Sequence, residues 1–183
     1  MSVDDGTDIP EAGTVLLACL CAVSSGRYSY PNGRDLEDLA ELLLSSDFHR
    51  PAEGRAYAAI LEHHDRGDPH DLVTLHAQFL TSGAFTEPGG RELAALMLDL
   101  VTADDAIRDG TAHPQRVRTL AAAVVAEAHR RAASVDMSAA IAGHPPSDWL
   151  TVWRDHGTKV AGIASRFERL IAPSSKNLVE VAA

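Results

Sequence analysis

Residues 47–96 read DFHRPAEGRAYAAILEHHDRGDPHDLVTLHAQFLTSGAFTEPGGRELAAL, and their punctuation predicts most of the architecture. Asp47 is suited to N-cap a helix whose first turn tolerates Pro51. Tyr57, Ile60, Leu61 and His64 then recur at the spacing of one helix face. Gly67 and Pro69 stop that helix in a polar turn. Asp71 is positioned to cap a second helix with Leu72, Leu75 and Phe79 as its apolar face, which Gly83 ends. Gly89-Gly90 supply a turn that can use positive φ, and Leu93, Leu96 and Leu100 open a third helix. No strand pattern interrupts the stretch, and nothing in it reads as a catalytic centre.

Working outward, residues 1–9 are acidic and polar and are expected to be disordered. A first helix follows Pro10 with Val15, Leu16, Cys19, Leu20 and Val23 as its stripe. Ser24–Gly33 is a turn-rich loop whose Tyr28 and Tyr30 either pack back on the body or offer a contact surface; packing is the expectation. A helix over Asp35–Leu44 uses Leu36, Leu39, Ala40 and Leu43. Beyond Leu100, TADDAIRDGTAHP lacks a clear apolar period, so residues 104–113 read as a connector closing a globular unit over 10–103. A long helix beginning near Pro114 and running to Ala142 carries Val117, Leu120, Ala121, Val124, Val125 and Ala128 on one side. Gly143-His144-Pro145-Pro146 breaks it. The last helix, capped by Ser147, places Trp149, Trp153, His156, Val160, Ile163, Phe167 and Leu170 at alternating steps of four and three, as a coiled-coil seam does. Gly157 and Gly162 weaken that helix but permit a close neighbour. Residues 114–172 therefore read as an antiparallel helical hairpin, and 173–183 as a loose tail.

The motif resembles the N-terminal domain of DnaB-type replicative DNA helicases. The matching residues are Asp47 and Phe48, the aromatic Tyr57, and the run Arg66, Gly67, Pro69, Asp71, Val73, Thr74 and Leu75. Gly83 and then Gly89-Gly90 complete the match, with no gap in register from Asp47 to Leu96. Three departures stand out: Glu53-Gly54 replace a basic His-Arg pair, His70 replaces an apolar residue, and Leu93 replaces a Tyr. The resemblance implies an all-α fold, a compact multi-helix bundle followed by a long antiparallel hairpin used for self-association. It also implies docking of primase, a helicase loader or the replicative helicase. Asp47, Phe48, Tyr57, Gly67, Pro69, Asp71, Thr74, Gly89 and Gly90 are then structural motif residues. Trp149, Trp153, Val160, Ile163 and Phe167 form the expected self-association seam with a second copy, the alternative being cover by the 114–142 helix and the globular unit.

Composition supports the same class. An Ala- and Leu-rich chain of 183 residues with 5% aromatics favours helix, and its net charge of −10 opposes tight binding to duplex DNA. No G-x-x-x-x-G-K-[ST] is present, since Lys159 and Lys176, the only lysines, follow Thr158 and Ser175. The helicase motor is thus missing, and the chain is expected to have no enzymatic activity, no catalytic residues and no cofactor. The alternative function is a small all-helical, metal-dependent hydrolase with a His-rich site at His63, His64, His70, Asp71 and His76. That spacing fits no known ligand set, so no metal is expected. Asp99, Asp104 and Asp105 read as capping and solvating groups. Cys19 and Cys21 read as buried small residues of a reducing compartment. Without a signal peptide or membrane span, the expected location is cytoplasmic. The initial Met and the VEVAA end suggest a complete small protein rather than a fragment of a longer helicase.

Overall fold

The computed structural model describes residues 12–26, 35–109 and 116–172. The expected disordered and loose tails, the loop tyrosines Tyr28 and Tyr30, and the stretch around Pro114 lie outside the described residues. Within them the fold is all-α, without strands: α1 (Ala12–Ser24), α2 (Asp35–Ala40), α3 (Pro51–Arg66), α4 (Leu72–Thr81), α5 (Gly90–Arg108), α6 (Val117–Ala133), α7 (Met137–Ala142) and α8 (Trp149–Ile171).

The centre of the core is α1. Its sequence, AGTVLLACLCAVS, contains no charged residue, and a helix apolar on every side must be surrounded by protein. Leu17, Ala18, Cys21 and Ala22 are buried along with Leu16, Cys19 and Leu20, whereas Val15 and Val23 are half-buried. The single stripe read from sequence is therefore a core on all faces, closed by α5 and α6 on their sides and by α3 and α4 elsewhere. Both cysteines are free and buried, and burial pushes the Cys19 thiol up to about 11, so it stays protonated and unreactive at neutral pH.

Four boundaries differ from the sequence reading, and in three of them a side chain competes locally with the helix. The expected helix to Leu44 stops at Ala40, because the Asp47 carboxylate accepts the Leu44 N–H at 2.8 Å and folds Ser45–Asp47 into a 3-10 turn. Leu42 and Leu43 remain buried. The helix expected to run to Ala142 breaks after Ala133, where Asp136 Oδ1 accepts the N–H groups of Ser138 and Ala139 and caps α7 instead. Ser147 does not cap α8: its hydroxyl donates to Asp148 Oδ1 at 2.9 Å, and the helix grows out of a 3-10 turn over Pro146–Asp148. In the fourth, α5 continues to Arg108, so residues 104–108 are helix rather than connector. Ala103 and Ile107 complete its buried face, and Asp104 is buried against Arg108, with Nη2 at 2.6 Å.

The hairpin is formed by α6 and α8, the most extensive helix pair in the protein, and α6 packs on α1 as well. Arg118, in the first turn of α6, donates to the carbonyls of Leu170 and Arg169 at 2.8 Å each, which aligns the start of α6 with the end of α8.

Candidate interaction surface

That alignment determines what α8 exposes. α8 has 23 residues and α6 has 17. At 1.5 Å rise per residue the difference is about 9 Å, so with the other ends aligned the first turns of α8 project beyond α6. The expected seam divides accordingly. Ile163 and Leu170 are buried, and Val160 and Phe167 pack half-buried on the core. Trp149 and Trp153 are 40% and 53% exposed, beside Leu150 at 69%. The Trp149 indole is fixed by donating to the His144 carbonyl at 2.9 Å, which orients the patch on the interhelical turn.

The motif residues build the body behind this surface. Asp47 does not cap α3; Arg50 occupies that position without a side-chain cap. The Asp47 carboxylate is instead a buried acceptor for Arg166 of α8, in a bidentate pair that includes Nη2 to Oδ1 at 2.9 Å. Arg166 also donates to the Leu42 carbonyl at 3.1 Å, and Arg131 of α6 donates to the Asp47 carbonyl at 2.6 Å. One turn of the body thus holds both helices of the hairpin. Neither arginine carried a sequence signal for this role, since Arg166 lies 119 residues from its partner. Phe48 rests on Tyr57 with ring centroids 5.2 Å apart, which explains why the two aromatics occur together.

Downstream, Gly67 closes α3 by donating to the His64 carbonyl at 2.9 Å, and Pro69 follows, exposed, in the turn. Asp71 caps α4 as expected, accepting the Thr74 N–H at 2.9 Å. Gly89 takes φ +81°, and a Cβ on Gly90 would lie 2.3 Å from the Phe85 carbonyl oxygen. The Glu53-Gly54 departure from that motif also acquires a role. Glu53 is buried and accepts the Thr14 hydroxyl at 2.9 Å, reaching the first turn of α1 where the helix dipole favours a carboxylate. Gly54 lets α3 approach the Ser45 carbonyl.

The histidines are spread through the α3–α4 junction. His63 Nε2 bonds Gln78 Oε1 at 2.8 Å, and His76 lies 5.5 Å from the Phe85 ring. Among the described residues no group of three His, Cys, Asp or Glu side chains is placed to hold a metal ion. His70 stands where the resemblance has an apolar residue. It is buried, its ring stands edge-on to His64 at 6.0 Å, and neither ring nitrogen meets a hydrogen-bond partner. Burial first, then charge on His64 and to a lesser degree His63, hold this imidazole below its ordinary value against the opposing Asp68 backbone and Asp71 carboxylate. The unfolded chain therefore binds the proton more readily. The resulting stability is complete above about pH 6.5, the unfolded value, and is lost as pH falls toward the lower folded value. Thermal unfolding should show a drop in Tm on acidification through this window, and His70→Leu should remove the corresponding part of the slope. An unchanged slope in that variant would assign the pH dependence to other groups.

Comparison with known proteins finds similarity over part of the chain. Residues 31–111 match the family model of the DnaB-like helicase N terminal domain. The Replicative DNA helicase DnaB of Mycobacterium leprae (strain TN) is 42% identical over 55 residues, and that of Geobacillus stearothermophilus is 37% identical over 62 residues. These alignments take in 30% and 34% of this chain but only 9% and 14% of the relatives' lengths. No solved structure matches at comparable significance. The similarity to the DnaB-like helicase N-terminal domain thus covers residues 31–111, where α2 to α5 and the whole Asp47–Leu96 motif lie.

Proposed function

We propose that the chain is a non-catalytic interaction module of DNA replication that self-associates through the projecting start of α8. On this reading it docks primase, a helicase loader or the replicative helicase on its helical surfaces. The observation that carries the proposal is the unpartnered half of the seam: Trp149 and Trp153 remain exposed because α6 is too short to cover them. Aromatic side chains bury about 150–250 Å² each, so covering both with a second copy would contribute several kcal/mol, at about 25 cal/mol per Å².

The absence of a phosphate-cradling G-x-x-x-x-G-K-[ST] motif supports a role without ATP hydrolysis. Weak affinity for DNA is in keeping with the net charge and with the arginines themselves: Arg166 and Arg131 are turned inward on Asp47, and Arg130 pairs with Glu127. No helix among the described residues is long and apolar enough to cross a membrane, and a cytoplasmic site of action completes the proposal.

Sedimentation at tens of micromolar should show a dimer or larger species. Trp149→Asp combined with Trp153→Asp should yield a monomer of unchanged helicity, because neither side chain belongs to the buried core. A monomeric unmutated protein would refute self-association.

A further inference from the structure

A groove of about 550 Å³ runs between the Leu44–Asp47 turn of the body and the two hairpin helices, a volume within the range of ligand pockets. Its apolar wall is formed by Leu44, Val135 and Ile163, of which Leu44 and Val135 are each 46% exposed. Its polar wall presents Arg131, Lys159 and Arg166. The single carboxylate lining it, Asp47, is already occupied by Arg166 and by the Leu44 N–H. Lys159 forms no ion pair among the described residues, whereas Arg131 is held by the Asp47 carbonyl and lies 3.7 Å from Glu127 through its buried Nη1. On a chain of net charge −10, this is a cationic island with an aliphatic floor. A Cβ on Gly162, which also lines the groove, would meet nothing within 4 Å, so the space beside α8 there is open.

We propose that this groove binds an acidic peptide segment of a partner protein, with a Glu or Asp carboxylate on Lys159 and neighbouring aliphatic side chains on Leu44, Val135 and Ile163. Charge complementarity selects this occupant: the cations would repel a basic segment, and a purely apolar one would bury Lys159 without a counter-charge. The site does not include the Trp149–Trp153 face, so it goes beyond the self-association proposed above and fails or stands separately from it.

Panning a random dodecapeptide phage library against the full chain tests the idea, with the selected peptide then measured by fluorescence polarisation. Selected sequences should place Asp or Glu beside Leu, Ile or Val. Gly162→Leu, whose Cβ would meet nothing within 4 Å, puts a side chain into the groove and replaces a helix-weakening residue, so it should keep or raise Tm while weakening the peptide about tenfold or more. Lys159→Glu should weaken it about as much by presenting like charge. Gly157→Leu, equally open but outside the groove, should bind as the unmutated chain does. No enrichment, a basic consensus, or affinity unaffected by Gly162→Leu would overturn the proposal. Displacement of the peptide by inorganic phosphate at similar affinity would assign the site to small anions instead. A change of sedimentation in Gly162→Leu alone would assign it to a second copy of this chain.

Discussion

Asp47→Ala should destabilise the protein by about 3–5 kcal/mol in urea unfolding, because it leaves the Arg166 guanidinium enclosed without its counter-charge. The pair is shielded from water: the side chains of Arg166 and Asp47 are 13% and 3% exposed. Removing the carboxylate also frees the Leu44 N–H that shapes the turn. The loss reflects a stranded cation more than the net worth of the pair, so Asp47→Leu combined with Arg166→Met should recover a large part of it. Arg166→Lys should fall between, since an ammonium cannot reproduce the two parallel bonds to one carboxylate. A loss below about 1 kcal/mol for Asp47→Ala, the range of an exposed pair, would mean that water reaches the clasp.

Gly54→Ala is the second large effect, and two opposing contributions decide its sign. Alanine in place of glycine inside a helix ordinarily gains about 0.5–1 kcal/mol. Here the new Cβ would lie 2.4 Å from the Ser45 carbonyl oxygen, a backbone atom that cannot swing aside as a side chain can. Separating α3 from that turn belongs at the upper end of the usual 1–3 kcal/mol for overpacking, so a net loss of about 2 kcal/mol is expected. Gly162→Ala provides the internal reference, since nothing opposes the propensity gain there. If both variants were stabilised alike, the contact between α3 and the Ser45 turn would be looser than the structure describes.

These residues also show what a sequence can disclose. The role of Asp71 was readable because its partner, the Thr74 N–H, lies three residues away. The role of Asp47 was not: the same residue type before a similar helix found a stronger partner 119 residues further on. Helical period located α3, α4 and the α8 seam, since periodicity follows from backbone geometry alone. It could not say which part of the seam was covered, because that depends on where α6 stops, and Asp136 stops it by capping the next turn. The end of α5 was missed for a related reason: Asp104 occupies a core-facing position, and its burial with Arg108 only becomes evident in three dimensions. The groove left no local trace at all, since its walls come from three segments separated in the chain.

The burial of α1 has a consequence in time as well as in space. The helix ends at Ser24, and α6, one of its two main covers, begins at Val117, 93 residues later. At a synthesis rate of about 5–20 residues per second, that delay lasts about 5–20 s. Until that interval ends the emerging polypeptide carries a thirteen-residue uncharged segment whose cover is incomplete. The first piece of the core to leave the ribosome is among the last to be enclosed, which makes it a natural client for chaperones that shield nascent apolar chains.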